Sequence, residues 1–223
     1  MTSAAIFINY LYKLFPSFVK NNLSFGFPEG KHHGVIAEAV PKGVSLVVAI
    51  DSSSSSYEET QKLKERNIDI IVLDHHETDA IDPNAIIVNN QTCDYPTKSL
   101  SGAGIAYKFC SYIDSLLNKN YAEDLASLGM IADMVPLKDF ETRRIITKGL
   151  SNINNTFFST MVERNSFQIK DELTPDKVAF YIAPYINATI RSGTPNEKLM
   201  LFEALLEHKA LDIIASTKRG CSG

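Results

Sequence analysis

The sequence predicts an α/β fold with a doubly wound, mainly parallel sheet flanked by helices and a helical C-terminal part. Two apolar runs, residues 45–50 and 68–73, carry this prediction. Both are nearly continuous and rich in β-branched residues, as in strands that are buried on both faces. A polar helical pattern at 57–67 separates them. Strands that alternate with helices predict parallel pairing through right-handed crossovers.

The other elements follow from periodicity and from capping residues. The helix at 57–67 is predicted to begin with a capping box formed by Ser56 and Glu59. Thr2 or Ser3 is expected to cap an amphipathic first helix. Further strands are predicted at 22–27 and 85–88, and helices at 3–18, 102–118, 121–132, 142–150, 174–190 and 196–208.

Composition limits the possible classes of protein. The chain has 223 residues, of which 44% are hydrophobic and 22% charged, values typical of a globular protein. No uninterrupted apolar stretch is long enough to predict a membrane span. Three widely spaced cysteines form neither a zinc motif nor a disulfide framework, which favours a cytoplasmic location. The net charge of −4 argues against a protein that simply coats nucleic acid, so any such contact needs a local patch or metal ions.

The most informative stretch is Asp74-His75-His76, which directly follows the strand at 68–73. Ligands of open α/β sheets bind at the carboxyl ends of the strands. An acid and two imidazoles at that position predict a site for a divalent metal ion. The alternative is a charged surface turn without a ligand.

Two further acids extend this candidate site. Asp51 ends the strand at 45–50 just as Asp74 ends its neighbour, so the two carboxylates are expected to lie close together. A bound dication would remove their mutual repulsion. Asp133 ends an apolar helix and is either a surface residue or a further ligand that points inward.

Three features of the sequence leave alternatives open. The serines at 52–56 either bind an anion or only satisfy the start of the next helix. Arg143, Arg144 and Lys148 share one helix and either line a DNA path or form a solvated face. The aromatic and aliphatic residues at 180–186 are interpreted as core, so no base-stacking platform is predicted from them.

Three more segments extend the pattern: residues 95–104 (YPTKSLSGAG), residues 128–137 (LGMIADMVPL), and Ile186-Asn187-Ala188 followed by Arg191. With Asp51 and Asp74-His75-His76, and in this order, they make the chain resemble the DHH phosphoesterase superfamily. Within it, the chain is most similar to RecJ-type exonucleases specific for single-stranded DNA.

The resemblance implies a metal-dependent phosphodiesterase that digests single-stranded DNA in the 5′-to-3′ direction. The implied cofactor is Mn²⁺, with Mg²⁺ as an alternative, in a two-ion site of the full-length parent protein. Asp51 would bridge the ions, and His75 and Asp133 would hold the second ion. His76 would contact the scissile phosphate. Asp74 would act in catalysis mainly by orienting the histidines.

The same resemblance implies a set of substrate-binding residues. Arg191 would bind a DNA phosphate, because a planar bidentate donor suits that group. The Ser-Gly segment would cradle a phosphate before a helix, although such glycines also make plain tight turns. His33 is either a substrate residue or a surface turn histidine. The implied residues are Arg191, Asn187, His33, Ser101, Gly102 and Gly104.

One departure from the family pattern concerns its first motif, a strand that ends in Asp-x-Asp-Gly. The chain begins Met1-Thr2-Ser3, one residue after that motif would end. We therefore expect a catalytic domain at 1–205 that lacks the first strand, and the start of a connector at 206–223. Such a fragment would be inactive or impaired. The alternatives are a phosphoesterase for oligonucleotides, cyclic dinucleotides or pyrophosphate, and a non-catalytic metal-binding or nucleic-acid-binding remnant.

Overall fold

The centre of the protein is a three-stranded parallel sheet with the strand order β1-β2-β3. The computed structural model describes residues 1–27, 34–117 and 122–208. The strands are β1 (Leu46–Ile50), β2 (Asp69–Asp74) and β3 (Ile86–Asn89). In the register, Ile50 pairs with Leu73 and Asp74 pairs with Asn89, so the carboxyl ends of all three strands meet at one edge.

Helices make up most of the remaining structure. They are α1 (Thr2–Leu14), α2 (Pro16–Asn22), α3 (Tyr57–Glu65), α4 (Gly102–Leu117), α5 (Glu123–Ala132), α6 (Phe140–Ser151), α7 (Thr156–Arg164), α8 (Ser166–Ile169), α9 (Pro175–Tyr181), α10 (Ala183–Ser192) and α11 (Pro195–Leu205), with a 3₁₀ turn at Ala37–Ala39.

Both faces of the sheet are covered. Ile50, Ile71 and Leu73 point into the larger core, which α4 shares with α1 and α5. Ile70 and Val72 point the other way, into a smaller core with residues of α3 and the 3₁₀ turn. This double burial is the reason that the strands read as continuous apolar runs. The predicted α/β class and the parallel sheet flanked by helices are confirmed.

The strand expected at 22–27 is wrong. The α2 helix extends to Asn22, and residues 23–27 form no ladder. The aromatic residues of this segment instead pack on α11, where Phe25 and Phe27 meet the ring of Phe202 edge-on at 4.8 and 5.0 Å. The alternating aromatic residues that predict a strand, Phe25 and Phe27, therefore pack against a helix instead.

Two long helices of the prediction are each divided in two. The segment at 3–18 breaks at Phe15, because Pro16 lacks the N–H that a continuing helix requires. The segment at 174–190 breaks at Ile182, ahead of Pro184. The periodicity does not predict α7 and α8, which lie between α6 and α9.

The predicted helix caps also differ from the structure. Ser56 makes no side-chain cap. The Glu59 carboxylate, which would complete a capping box, instead accepts the amide of Ala37 at 2.6 Å and pairs with Lys62. Ser3 lies inside α1, where its hydroxyl donates to Asp51 instead of capping the helix.

The interpretation of residues 180–186 as core is only partly right. Ile182 and Ile186 are buried, but Phe180 and Tyr185 are 75% and 61% exposed. Ile182, between α9 and α10, and Ile186 on α10 face the core, whereas the rings of Phe180 and Tyr185 face solvent. None of the described helices is both long enough and apolar enough to span a bilayer.

Candidate metal centre

The carboxyl edge of the sheet brings together three side chains that are distant in sequence. Asp51 follows β1, His75 follows β2, and Asp133 caps the carboxyl end of α5. His75 Nε2 lies 3.3 Å from an Asp51 oxygen and 3.8 Å from an Asp133 oxygen. The amide of Asp51 donates to the carbonyl of Leu73 at 2.8 Å and continues the ladder into the site.

The backbone at Asp51 is held in an unusual conformation. Its φ of 66° lies in the left-handed region, which is costly for a residue with a β-carbon. Gly102, the first residue of α4, makes room for the carboxylate. A β-carbon on Gly102 would lie 2.0 Å from Asp51 Oδ1. The glycine is therefore required because the carboxylate occupies the space of its missing side chain.

Asp74 is a buried clamp with its side chain 1% exposed. One carboxylate oxygen accepts hydrogen bonds from the backbone amides of His75 at 2.8 Å and His76 at 3.4 Å. The same oxygen accepts a hydrogen bond from Nδ1 of the His76 ring at 2.6 Å. The other oxygen accepts the amide of Ser54 at 3.1 Å. These bonds set the turn that presents both imidazoles. The catalytic orienting role of Asp74 stays a prediction.

Asn89 is a positioning residue that the sequence interpretation missed. Its amide nitrogen donates to the Ser54 hydroxyl at 2.9 Å and to the His76 carbonyl at 2.8 Å. It ends β3, so a polar residue at the end of a third buried strand was the available signal. Two of the serines also make hydrogen bonds within the protein. The Ser54 amide donates to Asp74, and the Ser53 hydroxyl accepts the amide of Val35.

The charges of the three candidate ligands perturb one another. The hydrogen bond to Asp51 raises the pKa of His75 above its usual value, although burial opposes the rise. Burial alone would raise the pKa of Asp51, but the hydrogen bond with His75 brings it below the usual range. Burial raises the pKa of Asp133, and the charge of His75 only partly offsets this effect.

These residues fit a divalent ion. Two carboxylates and one imidazole are the donors that Mn²⁺ and related ions accept. Gly102 leaves room for one carboxylate, and a dication would supply positive charge where two acids converge. The distances of 3.3 and 3.8 Å around His75 are close to the roughly 3 Å that separates neighbouring ligand atoms around such an ion.

A second set of ligands is possible on distance alone. Ligand atoms of Asp74, His75 and His76 lie within 4.8 Å of one another. However, both oxygens of Asp74 already accept hydrogen bonds from Ser54 and the histidine turn. A buried carboxylate that is fully used by such donors orients ligands instead of binding the ion itself. We therefore favour Asp51, His75 and Asp133 as the ligand set.

The predicted substrate-side residues occupy different environments. Arg191 on α10 is exposed and makes no ion pair within the described residues. Asn187 donates to the carbonyl of Ala132 at 3.0 Å and so ties α10 to the end of α5 beside Asp133. Ser101 is 2% exposed, and its hydroxyl has no hydrogen-bond partner among the described residues. A β-carbon on Gly104 would meet Leu100 at 3.2 Å. His33 lies outside the described residues.

Comparison with family models matches residues 1–132 to the DHH family, N-terminal domain. The chain belongs to the DHH family. It is 40% identical over 225 residues to a putative SPbeta prophage-derived single-strand DNA-specific exonuclease, YorK, of Bacillus subtilis. It is 30% identical over 226 residues to the single-stranded-DNA-specific exonuclease RecJ of the same organism. These alignments cover 99% and 95% of the chain but only 38% and 28% of the relatives.

Solved structures of DHH-family nucleases have the same fold. RecJ of Thermus thermophilus in complex with Mn²⁺ superposes with a TM-score of 0.75 at 25% identity, over 98% of this chain and 32% of that one. A manganese-bound exonuclease RecJ gives a TM-score of 0.73 at 25% identity, over 98% and 57%. The chain thus spans about a third of the length of the first structure.

Proposed function

We propose that this chain contains the catalytic core of a metal-dependent phosphodiesterase that digests single-stranded DNA in the 5′-to-3′ direction. The observation that carries the proposal is the convergence of Asp51, His75 and Asp133 at one sheet edge. Relatives named as single-strand DNA-specific exonucleases, and the manganese in similar RecJ structures, support the substrate and the metal.

In this proposal, Asp51, His75 and Asp133 hold one divalent ion, with Mn²⁺ preferred and Mg²⁺ as the alternative. When bound, such an ion lowers the pKa of a coordinated water and stabilises charge on a phosphoryl oxygen. Asp51 would also contribute to holding a second ion. Asp74 is a further carboxylate at this edge, but its oxygens accept hydrogen bonds from Ser54 and the histidine turn.

His76 is the residue that we assign to the scissile phosphate. Asp74 fixes the ring by accepting Nδ1 at 2.6 Å, which leaves Nε2 available to the substrate. The side chain of His76 is 60% exposed, so a phosphate can reach it. With Nδ1–H held by Asp74, the protonated imidazolium form of His76 would donate from Nε2 to a phosphoryl or leaving oxygen, and the neutral form would accept a proton there.

The remaining substrate contacts extend from this centre. Arg191 would bind a phosphate of the strand through its planar fork. Asn187 would position α10 beside Asp133 through the carbonyl of Ala132. Ser101 and Gly102 lie at the start of α4 next to Asp51, where a phosphate would meet the positive end of the helix dipole. Gly104 and His33 remain predicted substrate residues.

The proposed catalytic domain is residues 1–205, followed by a connector at 206–223, of which 209–223 lie outside the described residues. The proposed location is the cytoplasm. A fusion of this chain to the Asp-x-Asp-Gly strand of a relative would test whether the second ion is needed for full activity.

The test is release of mononucleotides from end-labelled single-stranded DNA with Mn²⁺, measured on the chain and on the fusion. We expect hydrolysis by the fusion to require Mn²⁺ and to fall by about two orders of magnitude or more in His76→Ala. An exposed substitution on α3, Lys64→Gln, is the matched control. Absence of hydrolysis by the fusion would overturn the proposal. Preference for very short oligonucleotides would favour a small-molecule phosphoesterase, and Mn²⁺ binding without hydrolysis would favour a non-catalytic remnant.

A further inference from the structure

The face of α6 that points away from the core forms a continuous exposed stripe. Its members recur at intervals of three and four residues, which places them on one side of a helix. The opposite side, with Ile145, Ile146 and Gly149, is buried in the core and against α5. The stripe lines an open, shallow hollow of about 440 Å³ and consists of Phe140, Arg143, Arg144, Thr147, Lys148 and Ser151.

The stripe carries positive charge that the surrounding residues do not neutralise. Arg144 is exposed and makes no ion pair within the described residues. Arg143 donates to the carbonyls of Leu137 and Lys138, which leaves its charge uncompensated. Within the part of the chain that the structure describes, Lys148 is the one cation of the hollow with a carboxylate partner, Glu123.

The neighbouring carboxylates are already used elsewhere. Glu141 accepts the Tyr95 hydroxyl at 2.8 Å and pairs with Lys108 at 2.7 Å. Asp139 accepts the hydroxyl of Ser99 and keeps its negative charge, but the cations Lys138, Arg143 and Arg144 outnumber it. In a chain with a net charge of −4, this surface is therefore a local site of attraction for anions.

Exposed apolar side chains lie at the start of the stripe. Met134, Leu137 and Phe140 are 85%, 41% and 73% exposed, within seven residues that directly follow Asp133. Apolar and aromatic groups beside a row of cations are the combination that binds single strands, since bases stack and phosphates pair. A folded duplex offers no such access to its base faces.

The packing of α5 and α6 places this surface next to the metal centre. A β-carbon on Gly149 would lie 2.1 Å from the carbonyl of Glu123, so the end of α6 meets the start of α5. The two helices are therefore antiparallel, and Phe140 begins α6 close to where Asp133 ends α5. From Phe140 to Ser151 the stripe extends about 17 Å, the length of about five stacked nucleotides.

We propose that the α6 stripe is a binding track for single-stranded DNA that leads into the metal centre. Bases rest on Met134, Leu137 and Phe140, and phosphates meet Arg143 and Arg144. The inference rests on the proposed function for its ligand, because that activity requires a single strand to reach Asp133. It adds a surface that the ligand set and the Arg191 segment do not include.

The test is fluorescence anisotropy with a labelled oligothymidine of about 15 nucleotides and with a trinucleotide, over a range of salt concentrations. We expect Arg144→Glu to weaken binding of the long strand about tenfold and to lower the salt slope by about 0.7. Phe140→Ala is expected to weaken binding of the long strand with little change in the salt slope. Both variants are expected to affect the trinucleotide less than the long strand.

Matched controls come from other exposed helices: Lys64→Glu on α3 and Phe167→Ala on α8, where the Phe167 ring is 86% exposed. Circular dichroism checks that each variant is folded. Equal affinities of Arg144→Glu, Phe140→Ala and the controls would overturn the track, as would failure of the unmodified chain to bind the long strand. Loss of binding in the α6 variants together with absent hydrolysis would support the track and count against the proposed function alone.

Discussion

At the scale of single residues, the metal centre depends on a pair in which one residue makes room for the other. Asp51 adopts a left-handed backbone, and its carboxylate occupies the space where Gly102 lacks a side chain. The two residues are about fifty positions apart, so nothing in the local pattern of either one indicates the other. The glycine therefore serves the geometry of a ligand as well as the start of a helix.

We predict that Gly102→Ala weakens Mn²⁺ binding by about tenfold or more, in the range observed when groups that orient metal ligands are changed. The added methyl group would displace the Asp51 carboxylate from His75, because the two cannot share the space. Isothermal titration calorimetry measures the affinity. Gly26→Ala is the control, since a β-carbon there meets nothing within 4 Å. Equal Mn²⁺ affinity in the two variants would contradict this role of Gly102.

At the scale of elements, a polar network fixes α6 to the loop that precedes α4. Glu141 on α6 accepts the Tyr95 hydroxyl, and Lys108 on α4 pairs with the same carboxylate at 2.7 Å. Burial raises the pKa of Glu141, but the hydrogen bonds from Lys108 and Tyr95 lower it by more than burial raises it. The pKa of Glu141 therefore lies below its usual value. The network therefore stabilises the ionised carboxylate.

We predict that Glu141→Gln lowers the free energy of unfolding by about 1 kcal/mol near neutral pH. Because the folded pKa is depressed, this stabilisation is present above the ordinary pKa of about 4.5 and is lost as the pH falls through the folded value. Urea titrations at about pH 7 and about pH 3 measure the difference between variant and parent. Glu58→Gln, exposed on α3, is the control, and a difference that persists at low pH would exclude an ionic origin.

At the scale of the whole molecule, the centre joins β1, β2 and α5. Asp51 and Asp133 are more than eighty residues apart in sequence, and both face His75 only when the sheet and the larger core are assembled. An ion held by all three residues binds the folded state and not the unfolded chain, so its binding free energy adds to stability.

We predict that Mn²⁺ at about a hundred times its dissociation constant stabilises the fold by about 2.7 kcal/mol. For a chain of this size, the corresponding rise in Tm is about 5–10 °C. Differential scanning calorimetry with and without the ion measures it. In Asp133→Asn the rise should be much smaller, because one anionic ligand is lost. A rise of the same size in that variant would place the ion elsewhere.

Elements whose residue pattern is set locally were predicted correctly, whereas elements set by contacts between distant residues were not. The three parallel strands were predicted to within about one residue, because burial on both faces imposes a continuous apolar run on each strand. The strand predicted at 22–27 was wrong because Phe25 and Phe27 pack on Phe202, a contact between distant parts of the chain. The prediction that Phe180 and Tyr185 belong to the core was wrong for a similar reason. The packing of α9 and α10 directs Ile182 and Ile186 towards the core and leaves the two rings exposed.

The sequence by itself determined the α/β class, the parallel strands and the ordered motif set that includes Asp51, Asp74, His75 and Asp133. These depend on local pattern and on residue identity. Only the tertiary structure decided that Asp74 turns inward to bond Ser54 and His76, while Asp51 and Asp133 face His75. It also decided the role of Asn89 and the position of the α6 stripe beside the site. Each of these follows from contacts between elements that lie far apart in the chain, and no periodicity encodes such contacts.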